Sequence, residues 1–123
     1  MEEILNIRKL CRDGQFRHAL TLIEPIIERN SLSPFLFILK SILIQSDESD
    51  ADFLYSLEDA EKCLLHALKI NDQDIDAMIE LAYFYDVMIP NPPKAFEYAS
   101  QVLQKIKKIK LEMTEIARDN KNQ

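Results

Sequence analysis

The sequence contains a single glycine, Gly14, and only five prolines among 123 residues. So few turn residues argue against β-rich folds with many tight turns and against a disordered chain. Two cysteines, Cys11 and Cys63, are too few for a disulfide framework and favour a cytoplasmic protein with reduced thiols. No apolar run approaches the roughly 18 residues of a membrane span, and the first residues lack the apolar core of a signal peptide.

What is present is ordinary for a globular protein: 47% of the residues are hydrophobic and 29% are charged. The length predicts one domain, residues 1–123. The charge is uneven. Residues 41–93 hold two basic and twelve acidic side chains, a net charge of −10, whereas residues 1–40 and 94–123 carry +1 and +3. Because the acidic block would repel phosphates, we expect no direct binding of nucleic acid.

Apolar residues recur at spacings of three and four along most of the chain, which predicts an all-α protein of six main helices. Turn and capping signals separate them at Gly14, Ser33-Pro34, Ser56, Asn71-Asp72 and Pro92-Pro93. The last helix continues one apolar seam far beyond a normal helix length, with the members Ala95, Ala99, Val102, Ile106, Ile109, Met113 and Ile116. This tail either caps its own chain, which we favour, or pairs with another chain.

Between residues 57 and 106, small and large apolar residues alternate on helix faces, so that two helices can approach closely and fill the angle between them. The members are Ala60, Leu64, Ala67 and Leu68, then Met78, Leu81, Ala82 and Tyr85, then Ala95, Ala99, Val102 and Leu103. Ala19 and Ile23 repeat the pattern of Ala60 and Leu64. The pattern resembles the tetratricopeptide repeat, a helix-turn-helix unit of about 34 residues.

This resemblance covers most of the chain as three repeats and implies antiparallel helical hairpins stacked as a short α-solenoid with a long C-terminal capping helix. Ala67 and Ala82 are then expected where helices cross closely. The family binds other proteins, and its concave face is lined by the first helix of each hairpin. That face would carry Arg8, Arg12, Ile38, Ile42, Gln45, Asp76, Glu80, Tyr83 and Asp86.

Ile38 and Ile42 are strongly explained as core residues instead. Tyr83 lies between two acids on the predicted fifth helix, a composition typical of binding patches. The acidic loop before Ser56 is a second candidate, because Phe53 and Tyr55 follow its four acids. They either pack back on the next helix, which we favour, or contact a partner.

No phosphate-binding loop, paired-histidine metal motif or nucleophile-base arrangement occurs, so we expect no enzyme, cofactor or metal. Cys11, His18, Cys63 and His66 could form a zinc site, but small helix residues and surface histidines explain them better. The acids of residues 72–76 lack the glycine and glutamate of an EF-hand and are better explained as a helix N-terminus.

We therefore expect a non-catalytic protein-binding module, a monomer that masks a basic protein such as a toxin or nuclease. An inhibitor, immunity protein (antitoxin) or dedicated chaperone fits this expectation. The alternative is a structural subunit of a larger assembly, joined through the C-terminal helix. An enzyme is a distant third possibility.

Overall fold

The computed structural model describes residues 2–47 and 54–122, and all its regular structure is helical. The six helices in these ranges are α1 (Glu2–Arg12), α2 (Phe16–Arg29), α3 (Pro34–Ser46), α4 (Leu57–Ile70), α5 (Ile75–Tyr83) and α6 (Pro92–Asp119). Each helix packs against the next along the chain, and α3 also contacts α5. The predicted all-α fold is confirmed, and the arrangement is compatible with a solenoid of stacked hairpins. No helix in the described ranges is long and apolar enough to cross a membrane.

The predicted turns form where the sequence marks them. Gly14 has a φ of 74°, a left-handed conformation that glycine adopts without strain, between α1 and α2. Ser56 begins α4 with a full capping box: the Asp59 amide donates to Ser56 Oγ at 3.2 Å, and the Ser56 amide donates to Asp59 Oδ2 at 2.8 Å. Ser33 precedes Pro34 in an extended conformation, but its hydroxyl makes no capping bond.

The centre of the core lies between α3 and α4. Ser41 is fully buried, and its hydroxyl donates to the Ala60 carbonyl at 2.8 Å. Ala60 and Ala67 are fully buried as well, so small side chains line this face of α4. Since only small residues allow helix backbones to approach closely, the predicted role of the small positions holds in this pair.

A π-helical turn, Phe84–Met88, follows α5 directly. Its wider backbone lets two consecutive aromatic residues, Phe84 and Tyr85, both point into the protein, where each is at most 2% exposed. The Tyr85 ring stacks on the Tyr98 ring of α6 at 6.0 Å, and its hydroxyl donates to Glu61 of α4 at 2.5 Å. These contacts fix the beginning of α6 against the rest of the core.

Helix α6 has 28 residues, and none of them is buried. Its first half covers α5 and the π-helical turn, and in this sense it caps the last hairpin. The residues from Lys107 to Asp119, here called the α6 extension, are all exposed. At 1.5 Å per residue the extension continues for about 20 Å. Ala82 is only half-buried at the α5–α6 boundary, unlike the fully buried Ala67.

Candidate protein-binding surfaces

Helix α5 presents a row of polar side chains on its outer face. Asp74 caps the helix by accepting the Ala77 amide at 3.0 Å, which fixes where the helix begins. Ala77, Met78 and Leu81 are buried, so the opposite face must point outward. That face carries Asp76, Glu80 and Tyr83, and Asp86 lies in the π-helical turn that follows; these four residues are here called the acidic stripe.

The members of the acidic stripe differ in exposure. Tyr83 is 65% exposed, a large value for an aromatic side chain, and Asp76 and Asp86 are exposed too. Glu80 is half-buried, and this burial, together with the nearby charge of Asp76, raises the pKa of its carboxyl group.

An apolar groove of about 400 Å³ runs beside the stripe, between α5 and α6. We call it the α5–α6 groove; its lining residues are Ile79, Ala82, Tyr83, Ala99, Val102, Leu103 and Ile106. Tyr83 belongs to both the stripe and the groove. The surface therefore combines an acidic edge with an apolar floor, the composition of a protein-binding patch.

Arg8 and Arg12 lie elsewhere, in a cleft of about 790 Å³ between α1 and α3. Leu5, Leu39 and Ile42 supply apolar walls to this cleft. Ile38 is buried in the core, as its alternative interpretation proposed, whereas Ile42 is partly exposed in the cleft. The Gln45 side-chain amide donates to Ser41 Oγ at 3.0 Å, which ties it to the α3–α4 contact.

Tyr55 is half-buried against α2 and α3. Its hydroxyl donates to Glu24 Oε1 at 2.5 Å, and the Lys40 ammonium lies 2.7 Å from the same oxygen. The Lys40 nitrogen also lies 4.8 Å from the centre of the Tyr55 ring. These contacts favour a packing role for Tyr55. Phe53 lies outside the described residues.

The pKa values in this cluster show that attraction outweighs burial. Burial alone would raise the pKa of Glu24, but hydrogen bonds from Lys40 and Tyr55 lower it. Burial alone would lower the pKa of Lys40, but the hydrogen bond and charge of Glu24 raise it. The cluster therefore holds a charged pair and anchors the end of the acidic loop to α2 and α3.

The predicted site residues thus fall on three separate surfaces: the acidic stripe, the α1–α3 cleft and the Glu24–Lys40–Tyr55 cluster. Sequence reasoning missed Glu24 and the groove-lining residue Ile79. The one available signal for the cluster was Lys40, a charged residue inside an otherwise apolar helix. Within residues 2–47 and 54–122, no group of three or more His, Cys, Asp or Glu side chains is arranged to hold a metal ion.

Comparison with known proteins adds no family assignment to this geometry. No protein-family model, no curated protein and no solved structure matches the chain. The resemblance to tetratricopeptide repeats accordingly stays a prediction.

Proposed function

We propose that this protein is a non-catalytic binding module that holds and masks a basic protein on the acidic stripe. The observation that carries this proposal is the exposed Tyr83 with acids on both sides, beside an open apolar groove. An aromatic residue at the centre of a patch supplies contact area at low entropic cost, and the acids around it select a cationic partner.

The acidic block that contains the stripe supports the same kind of partner. The −10 net charge of residues 41–93 would steer basic proteins towards this part of the molecule. An inhibitor, immunity protein or dedicated chaperone for a basic toxin or nuclease would use such a surface to cover the partner's own cationic site. Glu80 adds a local reason: burial and the negative charge of Asp76 raise the pKa of its carboxyl group, and a lysine or arginine placed there would offset the repulsion from Asp76.

The test uses a synthetic amphipathic helix with isoleucines on one face and lysines along its flank. Its association with the full chain is measured by surface plasmon resonance between about 0.05 and 0.5 M salt. We expect fast association that slows as salt rises. A helix of the same apolar face with glutamates in place of the lysines should not bind.

Variants locate the site on the protein. Changing Asp76, Glu80 and Asp86 together to their amides should slow association several-fold, whereas Tyr83→Ala should mainly speed dissociation. The matched control changes three exposed acids on other helices, Glu2, Glu28 and Glu58, to glutamine. If both triple variants slow association equally, overall charge acts rather than the stripe, and the proposed site is wrong.

A structural role in a larger assembly is the second candidate function. The exposed apolar seam of the α6 extension favours it, since Ile109, Met113 and Ile116 are each about half exposed. A subunit of this kind would bind through α6 and would be insensitive to the triple amide change.

A further inference from the structure

Two apolar surfaces adjoin on α6, and both are open. One is the α5–α6 groove, and the other is the seam of the α6 extension, where Ile109 is 49%, Met113 52% and Ile116 55% exposed. The extension propagates from the docked first half of α6, so it needs no separate nucleation to be helical. Its apolar seam, however, is uncovered in the part of the chain that the structure describes.

Helix α6 cannot supply the covering surface itself. Helix α6 is continuous from Pro92 to Asp119, and neither proline nor glycine interrupts it after Pro93. The floor of the groove is built from the first half of the same helix. A continuous helix cannot fold back onto itself, so the α6 extension cannot fill the groove of its own chain.

We propose that a second copy of this chain occupies the groove, with the two α6 helices antiparallel and the extension of each lying along the groove of the other. The seam is complementary to itself in this orientation. With the two-fold axis between Lys107 and Lys108, Ala99 faces Ile116, Val102 faces Met113 and Ile106 faces Ile109. Every layer is apolar, and the small Ala99 leaves room for the larger Ile116.

The neighbouring positions agree with this register. Phe96, which is 75% exposed, comes beside Ala117 of the second copy, and Lys105 comes beside its Glu112. Besides contacting α6, the α6 helix of the second copy would contact α5, where Ile79 and Ala82 form an apolar wall. The groove thus receives apolar side chains from both of its helices.

The area is sufficient for a stable dimer. Seven large apolar side chains of α6 are each between 48% and 75% exposed, and all but Leu111 lie at or beside the seam: Phe96, Leu103, Ile106, Ile109, Met113 and Ile116. Covering these six together with Tyr83 removes on the order of 600–900 Å² from water in each copy, close to the roughly 800 Å² per partner of standard interfaces.

Charge is compatible with the same arrangement. Residues 105–110 hold four lysines and no acid, and they lie at the centre of the proposed pair. The acidic N-terminal end of α5 is level with this centre, since the Lys105 ammonium donates to Gln73 in the α4–α5 turn. Acids at positions 72, 74 and 76 of both copies therefore surround the lysines and offset their repulsion.

The proposal does not rest on the proposed function, but the second copy would cover Tyr83 and so compete with a basic partner. The monomer expected from the sequence depended on the whole tail covering its own chain, and the α6 extension does not do so.

The first test is the mass of the full chain by light scattering and sedimentation over a concentration series. We expect a dimer whose dissociation constant rises at least about tenfold in Met113→Lys, because an ammonium would enter an apolar layer unpaired. The matched control is Leu111→Lys, which lies on the same helix with 59% exposure but outside the seam. A monomer at every concentration, or equal weakening by both variants, would overturn the proposal.

The second test fixes the register with cysteines. A chain carrying both Ala99→Cys and Ile116→Cys should form a covalent dimer on oxidation, whereas each single variant should not. A parallel pair would instead join the single variants to themselves, and that result would overturn the antiparallel arrangement.

The two proposals can fail separately. If the wild type is a monomer and binds the lysine-bearing probe helix, only the dimer proposal is wrong. If the Met113→Lys variant is a monomer and does not bind the same probe, only the proposed function is wrong. If the probe binds Met113→Lys more tightly than the wild-type dimer, the two occupants compete for one surface, as we expect.

Discussion

Helices α3 and α6 are both rich in apolar residues, but α3 is apolar on almost every face whereas α6 carries a single apolar seam, and their environments are opposite. Of the 13 residues of α3, five are buried, while none of the 28 residues of α6 is buried. Neighbours α2, α4 and α5 all contact α3, whereas the second half of α6 extends past α5. The comparison shows that apolar residues at spacings of three and four predict a helix and its apolar face. They do not predict which surface covers that face.

The contrast between the buried and the exposed helices is tested most strongly by truncating one leucine in each environment. Leu64 in α4 is fully buried and Leu111 in the α6 extension is 59% exposed. We expect Leu64→Ala to lower the free energy of unfolding by about 2–5 kcal/mol, because it leaves a cavity in the core. Leu111→Ala should change it by less than about 0.5 kcal/mol. Urea unfolding of both variants measures the difference, and equal losses would contradict the assignment of core and extension.

The charged cluster of Glu24, Lys40 and Tyr55 should give the next largest effect. Glu24→Gln should cost about 1–2 kcal/mol at neutral pH, a modest value because this side chain is 37% exposed and solvent screens the pair. The control is Glu28→Gln, an exposed glutamate on the same helix. A similar loss in the control would mean that the pair adds no specific stability.

The pKa directions set the pH dependence of this loss. Glu24 has a lowered pKa in the folded chain, so its stabilising contribution is present above its ordinary pKa of 4.5 and is lost as the pH falls through the lowered value. Lys40 has a raised pKa, so its contribution is present below 10.5 and is lost as the pH rises through the raised value. Unfolding measured across pH should therefore show a flatter acidic limb in Glu24→Gln than in the wild type.

Two serines that precede the packed helices α3 and α4 allow the contribution of helix capping to be compared. Ser56 makes both bonds of a capping box, whereas Ser33 makes no capping bond with its hydroxyl. Ser56→Ala should therefore cost about 1 kcal/mol, and Ser33→Ala should cost clearly less. Thermal melting of the two variants side by side is the measurement. A larger loss for Ser33→Ala would show that hydroxyl capping is not what stabilises the start of α4.

Much of this fold could be predicted from local chemistry. Gly14, Ser56 and Pro92 mark their turns because backbone conformation and capping depend on neighbouring residues. The π-helical turn could not be predicted, because it depends on Tyr85 meeting Tyr98 and Glu61 from other helices. The acidic stripe could be predicted from spacing on α5, whereas the α5–α6 groove needed the position of α6. The Glu24–Lys40 pair joins two helices, so it could not be predicted from local sequence. The one signal was Lys40, a charged residue in the otherwise apolar α3.

The last and smallest effect on stability tests the α6 extension itself. Thr114 in the extension and Thr21 in α2 are both exposed, and each hydroxyl donates to the carbonyl four residues earlier. Proline at either position breaks a helix, which costs about 3 kcal/mol where that helix contributes to the core. We expect this loss in Thr21→Pro. In Thr114→Pro, measured at concentrations where the chain is monomeric, the change should stay within about 0.5 kcal/mol.

Circular dichroism completes this experiment, because Thr114→Pro should lower helical content while leaving the unfolding midpoint in place. Its dimer should also be lost, since the layers of Met113 and Ile116 need a continuous helix. A loss of stability equal to that of Thr21→Pro would mean that the extension supports the monomer's core. The contrast between α3 and α6 would then disappear, together with the reason to expect a second copy in the groove.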